Sequence, residues 1–183
     1  MTEYAGKLLV ATPALTDPNF SRTVVQLVQH ADDDGALGVV LNRPTETPLG
    51  EVLPGWALLA PDPVVVFLGG PVQESAAICL ARLSSAEESP SVVPVPGAPW
   101  LGTVDLDVDA ADPVQEVRVF AGYAGWSAGQ LEAEVDEGAW WVLDALPSDP
   151  FSTDPSTLWR AVLRRQGPPL ALAATFPPDV ALN

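Results

Sequence analysis

His30 is the only histidine and Cys79 the only cysteine among 183 residues, and those two counts remove much of enzyme chemistry. No metal site with two imidazoles, no thiolate-rich zinc site and no internal disulfide can be assembled. His30 beside Asp32, Asp33 and Asp34 has the donors for a hard divalent cation. The same spacing reads more simply as a solvated hairpin turn, so no metal site is expected. Cys79 sits in an apolar run with no sequence-local base to lower its pKa, and a buried, inert thiol is expected. A Ser-His-Asp triad would have to use His30, and no G-x-S-x-G elbow occurs. No catalytic residue and no cofactor are therefore assigned.

What remains is arginine and glycine in short, specific patterns. They are Gly6-x-Leu8-Leu9-x-Ala11-x-Pro13, Asp17-Pro18-x-Phe20-x-Arg22-x-Val24, Gly38-x-x-Leu41-Asn42-Arg43-Pro44 and Gly69-Gly70-Pro71-Val72. The second half adds Phe120-x-Gly122-Tyr123-Ala124-Gly125-Trp126 and Gly129-Gln130-Leu131-Glu132. In the second pattern Asp17 is placed to cap a turn opened by Pro18, with Phe20 entering the core. Arg22 then either pairs with Asp17 or faces an anion. Asn42 tolerates left-handed backbone and Pro44 extends the residue before it. Arg43 is left without an evident backbone role. Gly69-Gly70-Pro71 lacks the Lys-Ser/Thr of a P-loop and the third glycine of a dinucleotide fingerprint, so a tight turn is expected. The Gly122–Trp126 stretch leads into a helix start at Ser127, where free N–H groups can hold an anion. Close backbone packing under Tyr123 and Trp126 is the plainer reading. The ligand-binding candidates are accordingly Arg22, Asn42, Arg43, Gly70, Gly122 and Gly125.

Together, these patterns resemble the YqgE/AlgH family of small bacterial cytoplasmic proteins, from about residue 5 to residue 175. The resemblance implies an α+β domain with a bifurcated, largely antiparallel sheet folded into a pseudo-barrel with flanking helices. No catalytic activity is established for the family. Some members are called transcriptional regulators, but no helix-turn-helix accompanies that label. The chain departs from many relatives in the turn Asp32-Asp33-Asp34 and between Pro90 and Pro99. The implied function is non-enzymatic and regulatory or protein-interacting, in the cytoplasm. The alternative is a sensor or enzyme that binds a small anion through Arg22, Arg43 and the glycine turns.

The elements that must position these residues follow from periodicity. Lys7–Ala11, Thr23–His30, Gly35–Leu41, Pro63–Leu68, Ala77–Arg82, Val114–Tyr123 and Trp140–Leu143 read as strands; Thr23–His30 and Gly35–Leu41 read as buried on both faces. Ser127 and Gln130 form a capping box for a helix that ends at Gly138, and Asp154-Pro155 starts another. The proline-dense stretch Pro90–Pro99 reads as an irregular connector, and Leu170–Phe176 as a closing strand. Residues 1–183 are read as one domain.

Charge narrows the partners. Eight bases against 24 acids give a net charge of −16, and seven of the eight bases are arginine. Such a chain repels phosphate backbones, so direct nucleic-acid binding is disfavoured. No apolar run approaches the roughly 18 residues that span a bilayer. An unidentified protein partner or a small anion is left.

Overall fold

The computed structural model describes residues 3–177. Ten strands form a forked sheet: β1 Leu8–Ala11, β2 Val24–Ala31, β3 Gly35–Val40, β4 Pro44–Pro48, β5 Val65–Leu68, β6 Val72–Leu83, β7 Val92–Val95, β8 Ala98–Val104, β9 Val114–Trp126 and β10 Trp140–Leu143. The order is β10-β1-β2-β3-β9-β6-β8-β7, with β4 and β5 attached off this path. All pairings are antiparallel except β5 with β9. The fork lies on β9. Its end, Ala124–Trp126, pairs with β3, while Val114–Ala121 pairs with β6. The order has two ends, so the sheet stays open.

Both faces of β1 and β2 are buried because side chains alternate across a strand. Leu8, Val10, Val24 and Val28 join the main core with Phe67, Phe120, Trp159 and Val162. Leu9, Ala11, Val25 and Leu27 join a second cluster with Trp126, Leu131 and Trp140. Three sets of helices cover the sheet: the short α1 Leu49–Val52 and α2 Pro54–Ala57, then α3 Gln130–Asp136, and finally α4 Leu158–Arg164 with α5 Leu170–Ala173. Trp56, on α2, closes a third cluster over Cys79, Val117 and Val119.

Two sequence expectations are corrected. Pro90–Pro99 is not an irregular connector but the β7–β8 hairpin, turning at Pro96-Gly97 with Pro94 on the outermost strand. An edge strand has one side without ladder bonds, and so tolerates proline. Leu170–Phe176 is not a strand either. Leu170–Ala173 is helical and Ala173 and Ala174 pack on the main core. That run is rich in alanine, a strong helix former, and contains no β-branched residue before Thr175.

Candidate functional site

The candidate residues Arg22, Asn42 and Arg43 meet where β2 begins and β3 ends. The entering turn is built by Asp17, whose Oδ1 accepts the Asn19 N–H at 2.8 Å. Its carbonyl accepts the N–H groups of Phe20 and Ser21 at 2.9 and 2.7 Å. Phe20 then packs against Trp126 and Trp140, with ring centroids 6.2 and 5.7 Å away. Asn42 carries the ladder one step beyond β3: its Oδ1 accepts the Val24 N–H at 3.0 Å, and its Nδ2 donates to the Arg22 carbonyl at 2.9 Å. The left-handed residue expected at Asn42 is Arg22 instead, at φ 58°. The chain must reverse sharply between the Asp17 turn and β2, and that reversal falls on Arg22.

Arg43 has the backbone role that its sequence context hid. Its Nη1 donates to the Asn19 carbonyl at 2.7 Å, and its Nη2 to those of Pro18 and Ser21 at 2.8 and 3.3 Å. It clips the whole turn to the end of β3. Burial lowers its pKa, and the Asp17 carboxylate opposes that shift. Arg22 does not pair with Asp17. Its guanidinium lies 4.1 Å from the Trp159 ring centroid and donates to the carbonyls of Phe176 and Pro177 at 3.3 Å.

The glycines are placed for backbone contact. A Cβ on Gly70 would stand 2.2 Å from the Tyr123 carbonyl, and one on Gly122 would stand 2.5 Å from the Gly70 oxygen. Gly122, at φ 72°, is the point where β9 passes from one branch of the sheet to the other. Gly70 and Arg43 share a hollow with Asn19 and Glu74, but its volume is about 20 Å³, room for roughly one water. Gly125 is exposed, opposite Leu37 in the β3–β9 ladder. The structure thus joins Arg43 to Gly70 and Gly70 to Gly122, and turns Arg22 toward α4 and α5. At the α3 entrance the Ser127 N–H is taken by Gln130 Oε1 at 3.0 Å, half of the expected capping box, and the Gln130 N–H by the Ser127 carbonyl.

His30 is not in a solvated turn. Its ring is stacked on Tyr4 at 5.1 Å, Nδ1 accepts the Tyr4 N–H at 3.0 Å, and Nε2 meets Glu132 Oε1 at 2.5 Å. Asp32 lies close enough to complete a three-ligand cluster. A backbone N–H can only donate, so Nδ1 is the acceptor and Nε2 carries the proton directed at Glu132. The Nε2 lone pair that a cation would need is absent from that tautomer. Glu132 is held below the usual carboxylate range, chiefly by its own backbone N–H and further by His30, against desolvation. Glu134 accepts the indole N–H groups of Trp126 and Trp140 at 2.8 and 2.9 Å. Glu132 and Glu134, two of the acids on α3, thus have partners within the fold.

Two features were missed from sequence. Arg118, at the centre of β9, is 1% exposed and stacks on Phe67 at 4.4 Å. It donates to the carbonyls of Ser152, Pro61 and Asp62 at 2.7, 3.0 and 3.0 Å. Burial lowers its pKa to about 10, with Glu116 opposing, so it stays charged at neutral pH. The only available signal was a charge inside the apolar run Val117–Phe120. Arg160, the neighbour of Arg22, lies 138 positions away and carried no local signal.

A family model described as AlgH-like matches residues 8–171. The chain belongs to the AlgH-like family. Its AlgH-like relatives include proteins named UPF0301 from Thermobifida fusca, 51% identical over 97% of this chain and 94% of that one, and from Streptomyces coelicolor, 51% identical over 100% and 98%. A Corynebacterium diphtheriae crystal structure superposes with a TM-score of 0.86 at 30% identity, over 96% of this chain and 94% of that one. The solution structure of AlgH from Pseudomonas aeruginosa gives 0.67 at 31%, over 94% and 93%. The forked, mostly antiparallel α+β sheet is the shared AlgH-like fold. No helix among the described residues is long and apolar enough to cross a membrane.

Proposed function

We propose that this chain is a non-catalytic cytoplasmic protein whose role is regulatory and is exercised by binding another protein, without direct contact to DNA. One observation carries the reading: the only cysteine, the only histidine and the buried Asp149 are each enclosed or partnered within the fold. The Cys79 thiol is buried, and desolvation pushes it up to about 12, so almost no thiolate exists at neutral pH. His30 is held between Tyr4 and Glu132. Asp149, 3% exposed, is locked in a two-pronged pair with Arg165 at 2.6 and 2.7 Å.

The surface left to a partner is rich in carboxylate. Glu87 and Glu88 occupy the loop after β6; Asp105, Asp107, Asp109 and Asp112 occupy the loop before β9, and all are exposed. The loops are tied together at the same end of the sheet by Ser84 N–H to the Pro113 carbonyl and Asp105 N–H to the Ser91 carbonyl, both at 2.9 Å. A macromolecule meeting this end is favoured if it presents Lys and Arg, and a phosphate backbone is repelled.

The test is affinity purification from the native cytoplasm with increasing salt, beside the Asp107→Lys/Asp109→Lys variant. A stoichiometric protein that is released by salt and lost in the variant is expected. Turnover of a phosphoester or acyl substrate, abolished by His30→Ala or Cys79→Ala, would overturn the proposal.

A further inference from the structure

Against the acidity of the whole chain, the structure gathers three cations that form no ion pair among the described residues. Arg160 and Arg164 are one turn apart on α4, so like charges share one side of that helix, a spacing that destabilises it. Arg22 stacks on Trp159, the residue before Arg160. Arg22 Nη1 reaches the carbonyls of Phe176 and Pro177, and Arg160 Nη1 reaches that of Ala174. Both guanidinium groups therefore meet the same turn of chain beyond α5. Neither makes an ion pair with a carboxylate among the described residues, and Arg164 makes neither an ion pair nor a side-chain hydrogen bond there. Among the described residues each of the first two donates through one terminal nitrogen, and its second terminal nitrogen and Nε make no bond there. Arg22 is half-buried and left-handed, and such backbone strain concentrates at binding sites.

We propose that Arg22, Arg160 and Arg164 form a binding site for a small, multiply charged oxyanion of the diphosphate or polycarboxylate class. Flat guanidinium forks match the paired oxygens of such groups. A dianion would also offset the repulsion within the cluster, and Arg22 already has its pKa lowered by burial and by Arg160. The site differs from the arginine rim expected from sequence, because Arg43 is spent on the Asp17 turn and Arg160 takes its place. It is also independent of the acidic end where the protein partner is proposed.

The experiment is an NMR titration of the full chain with inorganic pyrophosphate and, separately, citrate, ionic strength held constant with sodium chloride. Saturable shifts are expected at the Arg22, Arg160 and Arg164 Nε–H groups and along α4. The tighter of the two probes identifies phosphate or carboxylate chemistry. Arg160→Ala should weaken binding at least tenfold and Arg164→Ala severalfold. Arg164 makes no side-chain hydrogen bond or ion pair among the described residues, so its variant tests the site even where Arg160→Ala loosens α5. Shifts that do not saturate, that sodium chloride alone reproduces, or that persist unchanged in Arg164→Ala would overturn the proposal.

Discussion

Arg118 and Arg22 use one chemistry in two settings. Each guanidinium stacks on an aromatic ring, Phe67 or Trp159, and each donates to main-chain carbonyls. Arg118 is enclosed, with three carbonyls drawn from two separate loops. Arg22 is half-open, with long bonds to a single chain segment and another arginine beside it. A cation outside any ion pair is therefore not by itself a binding residue. What distinguishes the two is how many of the N–H groups the fold has used and whether water reaches the remainder.

The largest effect is expected at Arg118. If this side chain joins the Pro61–Asp62 and Ser152 loops to β9, Arg118→Ala leaves three carbonyls without their donor and opens a cavity beside Phe67. The loss should be about 3–5 kcal/mol, read from the midpoint of a urea melt. A loss below about 1 kcal/mol, ordinary for a surface change, would mean that water replaces the guanidinium freely. Arg43 lies between the extremes. Its three carbonyls belong to one turn and two of the bonds are exposed, so Arg43→Ala should cost about 1–3 kcal/mol. A neutral result would return Arg43 to the list of candidate binding residues.

The contrast also explains what could be read from sequence. The strands were legible because β-branched runs bounded by Gly, Pro and Asp say where a buried strand starts and stops. The turn at Asp17 was legible for the same local reason. The role of Arg43 was not, since nothing in Asn42-Arg43-Pro44 reveals that Pro18, Asn19 and Ser21 present their carbonyls to it. Nor does the sequence around Glu134 reveal that Trp126 and Trp140 bring their indole N–H groups to it from two strands. The glycines were legible as special positions. Only the crossing of Gly70 and Gly122 shows that they admit backbone and not phosphate. The β7–β8 hairpin was obscured by prolines that are compatible with a strand only at a sheet edge, and edge position is a property of the assembled sheet.

Cys79 tests whether the opposite face of β6 and β9, under Trp56, is dry. It precedes Leu80, the cross-strand partner of Arg118, and its thiol is raised from 9.0 to about 12 by burial. In that window the unfolded chain ionises before the folded one, so the folded state holds more protons and loses stability as pH rises. The fall should be about 1.4 kcal/mol by pH 10. Cys79→Ala should abolish this part of the fall while keeping the fold, and native protein should resist a thiol reagent at neutral pH. Rapid labelling of folded protein would show that solvent enters beside β6 and β9.

The smallest effect is expected at Arg22, and it separates backbone from side chain. Arg22→Ala keeps a Cβ at φ 58°, removes the stack on Trp159 and drops two long hydrogen bonds, so it should cost about 1 kcal/mol. Arg22→Gly loses the same contacts but removes the left-handed penalty, and the two changes should cancel to within about 0.5 kcal/mol. Equal melts for the two variants would show that the strain at Arg22 is negligible. A glycine variant as stable as the parent, yet unable to bind pyrophosphate, would show the opposite: the arginine occupies a position whose backbone favours glycine, and what it adds there is binding.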